Sequence, residues 1–312
     1  MSFNTNIDVI IPCYNEEKNI KNIVDKFNEI KLIQKINIET IIIVDDGSTD
    51  NTWSIIESLS YKGIKIKCIK LSKNYGQQNA FLAGIENVSS NFALLIDADF
   101  QDPPDKIKEM FEIAISSNAN CVYGERKTRK DDLFKKIISN LFYKIINILS
   151  NNTVKKNVGD FRIIDQKIIN FLKATKEKDI FLRGLIANAG FKQVPFKFDR
   201  DGRLAGKSGW TFKKLLKFSI DGILSFSNFP LRVILFISGI CFLIFIFFGI
   251  DSIINYKNGN EVPGWKSIFL AIMFVSSLNF LILSIIGEYI GRIYMEVKNR
   301  PRYLIDEIKV IE

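Results

Sequence analysis

The sequence predicts an α/β domain built on a parallel sheet and joined, toward its C-terminal end, to two membrane-spanning helices. Three observations carry that expectation. Short apolar runs alternate four times with amphipathic stretches over residues 1–125, the pattern of strands linked by crossover helices. Two later runs carry no charged residue and approach or meet the roughly 20 residues needed to cross a bilayer. Acidic and amide side chains follow directly on the early apolar runs, at the strand ends where an open parallel sheet binds its ligands.

Taken in order, Ile7 to Ile11 reads as a strand and Glu16 to Ile30 as the helix that follows it. Ile38 to Val44 with Asn51 to Leu59 repeats the pair, as does Ile64 to Leu71 with Gln77 to Asn87. The fourth unit is Phe92 to Ile96 with Pro104 to Ser116. Every residue of Phe92-Ala93-Leu94-Leu95-Ile96 is apolar, as expected of a strand covered on both faces. Cys121 to Gly124 is a candidate further strand. Leu133 to Leu149 and Thr211 to Phe226 place apolar residues at helical spacing beside lysines. Such helices lie in the headgroup plane of a membrane or pack on the domain's own core, and the spacing leaves both open.

The charge-free runs are Val233 to Ile250 and Ser267 to Gly287, rich in aromatics, with Tyr256 and Trp265 where interfacial anchors belong. Lys213, Lys214, Lys217 and Arg232 precede the first run, and Arg292, Lys298, Arg300 and Arg302 follow the second; the connection between is nearly neutral. By the positive-inside rule both ends of the pair of spans are cytoplasmic, so a multi-pass membrane protein with its main domain and both termini in the cytosol is expected. The expected organisation is a cytosolic α/β domain over 1–209, a juxtamembrane interfacial helix over 210–230, two spans over 231–292 and a cytosolic tail over 293–312. The polar stretch Met1 to Asn6 offers no signal peptide.

The net charge of +9 is unevenly spread: Arg126 to Lys217 holds 23 Lys and Arg against 8 Asp and Glu, leaving the rest of the chain at about −6. Beside membrane spans, such a block suits anionic headgroups or a phosphorylated lipid rather than nucleic acid, although many of its lysines are simply solvated surface. The four cysteines show no paired spacing and Cys241 lies within a span, which excludes a disulfide framework and fits a reducing compartment. The chain has no histidine, which excludes a zinc site of the usual His type.

Four loops fall at the carboxyl ends of the predicted strands and would line one cleft: Pro12 to Glu17, Asp45 to Asp50, Leu71 to Gln78, and Asp97 to Asp102. In Asp97-Ala98-Asp99-Phe100-Gln101-Asp102, carboxylates and an amide alternate after a buried strand. Hard oxygen ligands with room for water suit Mg²⁺ or Mn²⁺ holding a diphosphate. The same triplet also occurs as a solvated turn with Asx hydrogen bonds. Asp45-Asp46-Gly47-Ser48 offers a carboxylate to a base N–H or a ribose hydroxyl, and its end can cap a helix at the same time.

These motifs, together with Val158-Gly159-Asp160-Phe161-Arg162, Phe181-Leu182-Arg183-Gly184, Arg203 to Ser208, Ser225-Phe226-Ser227, Pro230-Leu231-Arg232 and Gly287 to Arg292, resemble the polyprenyl-phosphate branch of family 2 glycosyltransferases. That branch includes dolichol-phosphate mannose synthases and bactoprenol glucosyltransferases, and the resemblance runs over essentially the whole chain. It implies a GT-A, Rossmann-like catalytic domain. The implied reaction moves one sugar from a nucleotide diphosphate to the phosphate of a membrane polyprenol, with inversion at the anomeric carbon.

By the same resemblance, Pro12, Tyr14, Glu16, Asp45 and Asp97 contact the nucleotide, Asp97, Asp99 and Gln101 serve the Mg²⁺ or Mn²⁺, and Asp160 lies at the reacting centre. Arg126, Lys135, Ser139 and Arg203 match positions around the acceptor phosphate, with Arg200 and Lys207 as helpers. Gly209 stands where several relatives carry a lysine, a departure that touches one phosphate contact of the family pattern. Asp160 and Arg162 can also be read as a structural pair between neighbouring strands. An acceptor phosphate, mostly dianionic near neutral pH because its second pKa is about 6, is already a nucleophile. No strong general base is then required.

Two other readings are weighed. A processive polysaccharide synthase would carry a Gln-x-x-Arg-Trp motif, which this chain lacks. A non-catalytic scaffold would not need Asp97, Asp99, Gln101 and Asp160 intact. The first expectation for the donor is UDP-glucose and for the acceptor undecaprenyl phosphate. Association into a homo-oligomer through small residues of the spans is a further expectation.

Overall fold

The computed structural model describes residues 6–126 other than 35 and 62, residues 158–198 other than 179, residues 264–311, and six positions between 240 and 254. The chain divides into two compact units, Met1–Phe212 with Pro301–Glu312, and Lys213–Arg300.

In the first unit the four expected strand and helix pairs are present. They are β1 (Ile7–Cys13) with α1 (Ile20–Gln34), β2 (Ile38–Asp45) with α2 (Thr52–Glu57), β3 (Lys65–Leu71) with α3 (Gln77–Glu86), and β4 (Phe92–Leu95) with α4 (Ile107–Ser116). A 3₁₀ turn, Pro104–Lys106, leads into α4. Then come β5 (Cys121–Arg126), β6 (Val158–Asp165), α5 (Gln166–Ala174), α6 (Leu182–Asn188) and β7 (Gln193–Phe198), and, after the second unit, β8 (Ile305–Ile311).

One sheet of eight strands runs in the order β7-β5-β6-β4-β1-β2-β3-β8. The first four strands are mutually parallel, with Ile10 of β1 opposite both Ile42 and Leu95. Side chains alternate between faces along each strand. Ile7, Val9, Ile11 and Cys13 pack with Ile20, Ile23, Val24, Phe27 and Ile30 of α1, whose spacing is that of a single helical face. Ile10, Ile42 and Val44 pack on the other side with α3, α5 and α6. This double cover is why the strands read as unbroken apolar runs.

Helix α1 begins at Ile20, four residues later than the periodicity predicts, because Glu16 to Asn19 are occupied in a turn: the N–H groups of Asn19 and Ile20 both donate to the Glu16 carbonyl. The candidate strand at Cys121 is real, and it does not lie beside β4. Strand β6 inserts between them, antiparallel to both. Residues 305–311, which the sequence reading left in a tail, pair antiparallel with β3. The Leu304 carbonyl accepts from the Ser72 N–H at 2.9 Å, Tyr303 bonds Glu86 at the end of α3, and Arg302 bonds the Thr175 carbonyl.

In the second unit α7 (Trp265–Val297) is a helix of 33 residues. It contains the expected second span and continues beyond it. Its Phe274–Val297 portion is the one helix among the described residues long and apolar enough to cross a bilayer. The first expected span lies largely outside the described residues; within it Ile240, Leu243, Ile246, Phe247 and Ile250 are helical and exposed. The amphipathic stretches at Leu133 to Leu149 and Thr211 to Phe226 lie outside the described residues as well.

Candidate active site

The strand order reverses at β1, which sends its chain to β2 on one side and lies against β4 on the other. Such a switch point opens a crevice at the carboxyl ends of the strands, and the loops after β1, β2, β3 and β4 all emerge there.

The first two loops are stitched together. The Asn15 N–H donates to Ser48 Oγ at 2.9 Å and its Oδ1 accepts from the Thr49 N–H at 2.8 Å, with Asn15 at a left-handed φ of 55°. The Glu16 N–H donates to Thr52 Oγ1 at 2.9 Å, while the Glu16 carboxylate accepts from Asn19 at 2.7 Å. These bonds leave the Tyr14 ring 44% exposed at the mouth of the crevice.

Asp45 closes β2 and is fully buried. Its Oδ1 accepts from the Ser48 N–H at 3.1 Å and from the Ser48 hydroxyl. Its Oδ2 is buried with no hydrogen-bond partner among the described residues. Burial pushes the Asp45 carboxyl up from its ordinary pKa, against the two bonds from Ser48 and the charge of Lys70. A buried carboxylate oxygen left open costs stability, and it is what a ligand N–H or hydroxyl would satisfy. Next to it, Gly47 has φ 69°, and a Cβ there would meet the Lys73 carbonyl carbon at 2.4 Å. Only glycine lets the loops after β2 and β3 touch.

On the far side of β1, β4 and β6 are antiparallel with Leu95 opposite Arg162. Asp97 lies two residues beyond Leu95 and Asp160 two residues before Arg162, near enough for the charge of Asp160 to act on Asp97. Burial, followed by the charges of Asp102, Asp160 and Asp99, raises the Asp97 carboxyl well above its usual range, with Arg183 opposing. Gln77 Nε2 donates to Asp97 Oδ1 at 2.5 Å. Asp99 Oδ1 accepts from the Gln101 N–H at 3.1 Å, an Asx turn that carries Phe100 at φ 56°.

Among the described residues no three His, Cys, Asp or Glu side chains close around one point as a metal cage. The donor set nevertheless fits a divalent cation of the Mg²⁺ type. Such an ion takes one or two carboxylates and completes its shell with water and substrate phosphates, and the crowding of negative charge at Asp97 is what a cation relieves.

Asp160 is buried and saturated with donors. Arg183 reaches it through Nε at 2.9 Å and Nη2 at 3.2 Å, Gln78 Nε2 donates at 3.2 Å, and Arg162 Nη2 stands at 3.8 Å. Burial pushes its carboxyl up, but the two arginine charges and these bonds outweigh burial and hold it below the ordinary value. The Arg162 guanidinium bonds chiefly to the Gly159 carbonyl, at 2.8 Å. Arg126, at the end of β5, lies 3.7 Å from buried Asp102, and a Cβ on Gly159 would meet its guanidinium at 2.8 Å. Gly159 therefore makes room for a cation next to Asp160.

Of the residues singled out in the sequence, Pro12, Tyr14, Glu16, Asp45, Asp97, Asp99, Gln101, Arg126 and Asp160 all lie on the loops and strand ends at this edge of the sheet. Lys135, Ser139, Arg200, Arg203 and Lys207 lie outside the described residues. Sequence reasoning assigned no role to Asp46, Gln77, Gln78, Asp102 or Arg183. Each sits in a stretch that drew attention, but no spacing rule connects Gln78 or Arg183 to a carboxylate on β6.

The family profile described as glycosyl transferase family 2 matches residues 8–172. An uncharacterized glycosyltransferase of Synechocystis is 36% identical over 98% of this chain and 96% of its own length. A bactoprenol glucosyl transferase derived from prophage SfII, in Shigella flexneri, is 33% identical over 96% of this chain and 97% of its own. Among solved structures, glucosyl-3-phosphoglycerate synthase of Mycobacterium tuberculosis, in complex with Mn²⁺, UDP-glucose and phosphoglyceric acid, superposes with a TM-score of 0.52 at 15% identity, covering 71% of this chain and 78% of that one. The likeness is one of fold.

Proposed function

This chain belongs to glycosyl transferase family 2 and is a glycosyltransferase, and from that premise we propose that it moves a single hexose from a nucleotide diphosphate sugar, UDP-glucose first, to the phosphate of a membrane polyprenol such as undecaprenyl phosphate. One observation carries the acceptor. The match to bactoprenol glucosyl transferases is not confined to the nucleotide-binding half but extends over 96% of this chain, through the apolar helix α7.

The chemistry follows from the site. A phosphate oxygen of the acceptor attacks the anomeric carbon from the face opposite the diphosphate, the bond to the diphosphate breaks, and the configuration inverts. Asp160 is ionised and both its oxygens accept from guanidinium or amide donors. It orients the centre and takes no proton, which the dianionic nucleophile does not require. Asp45, through its open Oδ2, takes a base N–H or a ribose hydroxyl, with the Tyr14 ring beside the base. Asp97, Asp99 and Gln101 would hold Mg²⁺ or Mn²⁺, which supplies neutralisation of the departing diphosphate. Arg126 takes the acceptor phosphate, joined by Lys135, Ser139, Arg200, Arg203 and Lys207. The enzyme is an integral protein of the inner membrane, with both spans anchoring it, the catalytic domain and both termini at the cytoplasmic leaflet, and self-association through the spans.

Transfer of label from a panel of nucleotide sugars to undecaprenyl phosphate, with purified full-length protein in detergent, tests the reading. One organic-extractable product, lost on chelation, is expected from UDP-glucose. A polymer, or no product from any donor in the presence of Mn²⁺, would overturn it.

A further inference from the structure

The first turn of α3 carries two adjacent glutamines, and each reaches a different carboxylate: Gln77 meets Asp97 and Gln78 meets Asp160. Gln78 also makes a second contact. Its Oε1 accepts from the backbone N–H of Leu182 at 3.1 Å, the first residue of α6 and 104 positions away in sequence. That N–H belongs to a helix start, where no carbonyl of the helix itself can serve it. Its neighbour Arg183 grips Asp160 with two nitrogens and the Val158 carbonyl with a third, at 3.0 Å. Gln78, Asp160, Arg183 and Leu182 thus form a closed ring of hydrogen bonds and one covalent link.

We infer that Gln78 is a positioning residue for sugar transfer, holding Asp160 and the arginine-bearing start of α6 as one rigid unit against the strand ends. The inference rests on the function proposed above. Within the ring, position 78 needs a neutral group that both donates and accepts, because one side demands a donor toward a carboxylate and the other an acceptor for an N–H. A leucine supplies neither. An ionised glutamate supplies the acceptor but turns a second negative charge on Asp160, whereas a protonated glutamate supplies both and copies the amide. Among the described residues, the charged groups about this position are Asp160 and Arg162 of β6, Arg183 of α6 and, beyond Gln77, Asp97.

The test compares full-length Gln78→Leu and Gln78→Glu with the wild type at matched pH, so that titration of the acceptor phosphate cancels in the ratio. Gln78→Leu should lose about 100-fold in kcat at every pH, the cost of a misplaced reacting group, with the donor KM within about three-fold. Gln78→Glu should be equally slow near pH 8 and regain at least about ten-fold relative to wild type near pH 5.5, as the glutamate protonates. A Gln78→Leu enzyme with near wild-type kcat, or a Gln78→Glu ratio flat with pH, overturns the inference. A wild type that does not use polyprenyl phosphate removes the acceptor reading alone. In that case amide hydrogen exchange over residues 180–188 decides: protection should fall in Gln78→Leu at both pH values and in Gln78→Glu only near pH 8, and unchanged protection in both variants overturns the inference without reference to turnover.

Discussion

Asp46 accepts the backbone N–H groups of both Tyr75, at 2.7 Å, and Gly76, at 2.9 Å, so that one carboxylate from the loop after β2 fixes the start of α3. Burial nevertheless pushes its pKa up to about 6, with the two N–H bonds opposing and the charge of Asp45 adding to the rise. The folded protein therefore holds this proton more tightly than the unfolded chain does, and stability from this group falls as pH rises from about 4 to about 7, by up to about 3 kcal/mol. Thermal unfolding of the full-length protein across that window should show the decline, and Asp46→Asn should make it shallower, leaving the share of the other carboxyls raised by burial, Asp45 and Asp97. An Asp46→Asn profile parallel to wild type would assign the pH dependence elsewhere.

Asp45 sets function against stability. Its open Oδ2 is a cost in the free protein, and on the function proposed above it is a contact in the nucleotide complex. Asp45→Asn should unfold at the same temperature as wild type or higher, a gain of about 1 kcal/mol at most, while nucleotide affinity measured by calorimetry drops about ten-fold or more. Weaker stability together with unchanged affinity would make Asp45 a purely structural residue.

Asp99 shapes its own turn, and on the proposed mechanism it also offers a ligand oxygen. Asp99→Ala should abolish sugar transfer, and Asp99→Asn, which keeps the turn's acceptor for the Gln101 N–H, should be nearly as inactive. Both should unfold within a few degrees of wild type, since the loss of a part-buried turn hydrogen bond costs about 1 kcal/mol. Full turnover in either variant would remove the metal from the mechanism.

What was legible in the sequence divides by range. The strands from β1 to β4 declared themselves because each carries buried apolar residues on both faces and is followed by a polar loop. The site residues on them followed, since position after a parallel strand fixes place in the crevice. Strand β6 did not declare itself as a neighbour of β4, because antiparallel insertion leaves no mark in local pattern; Val158 to Asp165 looks like any half-polar strand. Gln78 and Arg183 were invisible as partners of Asp160 for the same reason: the contacts span 82 and 23 residues and depend on how α3 and α6 settle on the sheet. The tail hid a strand because Ile305-Asp306-Glu307-Ile308-Lys309-Val310-Ile311 is largely exposed, as edge strands are, and lacks the apolar run of a central one.

The pairing of β8 with β3 has a consequence for the order in which the protein is made. Its residues leave the ribosome after the whole of α7, so the edge of β3 keeps its unpaired N–H and C=O groups until the apolar helix has been synthesised. The same final residues bring Leu304 to Ser72, in the loop that leads to Tyr75 and α3. A nascent chain therefore carries an unfinished loop before α3 for as long as its apolar helix is still to come, and vectorial synthesis lets the β3 edge of the sheet close only after that helix has been made.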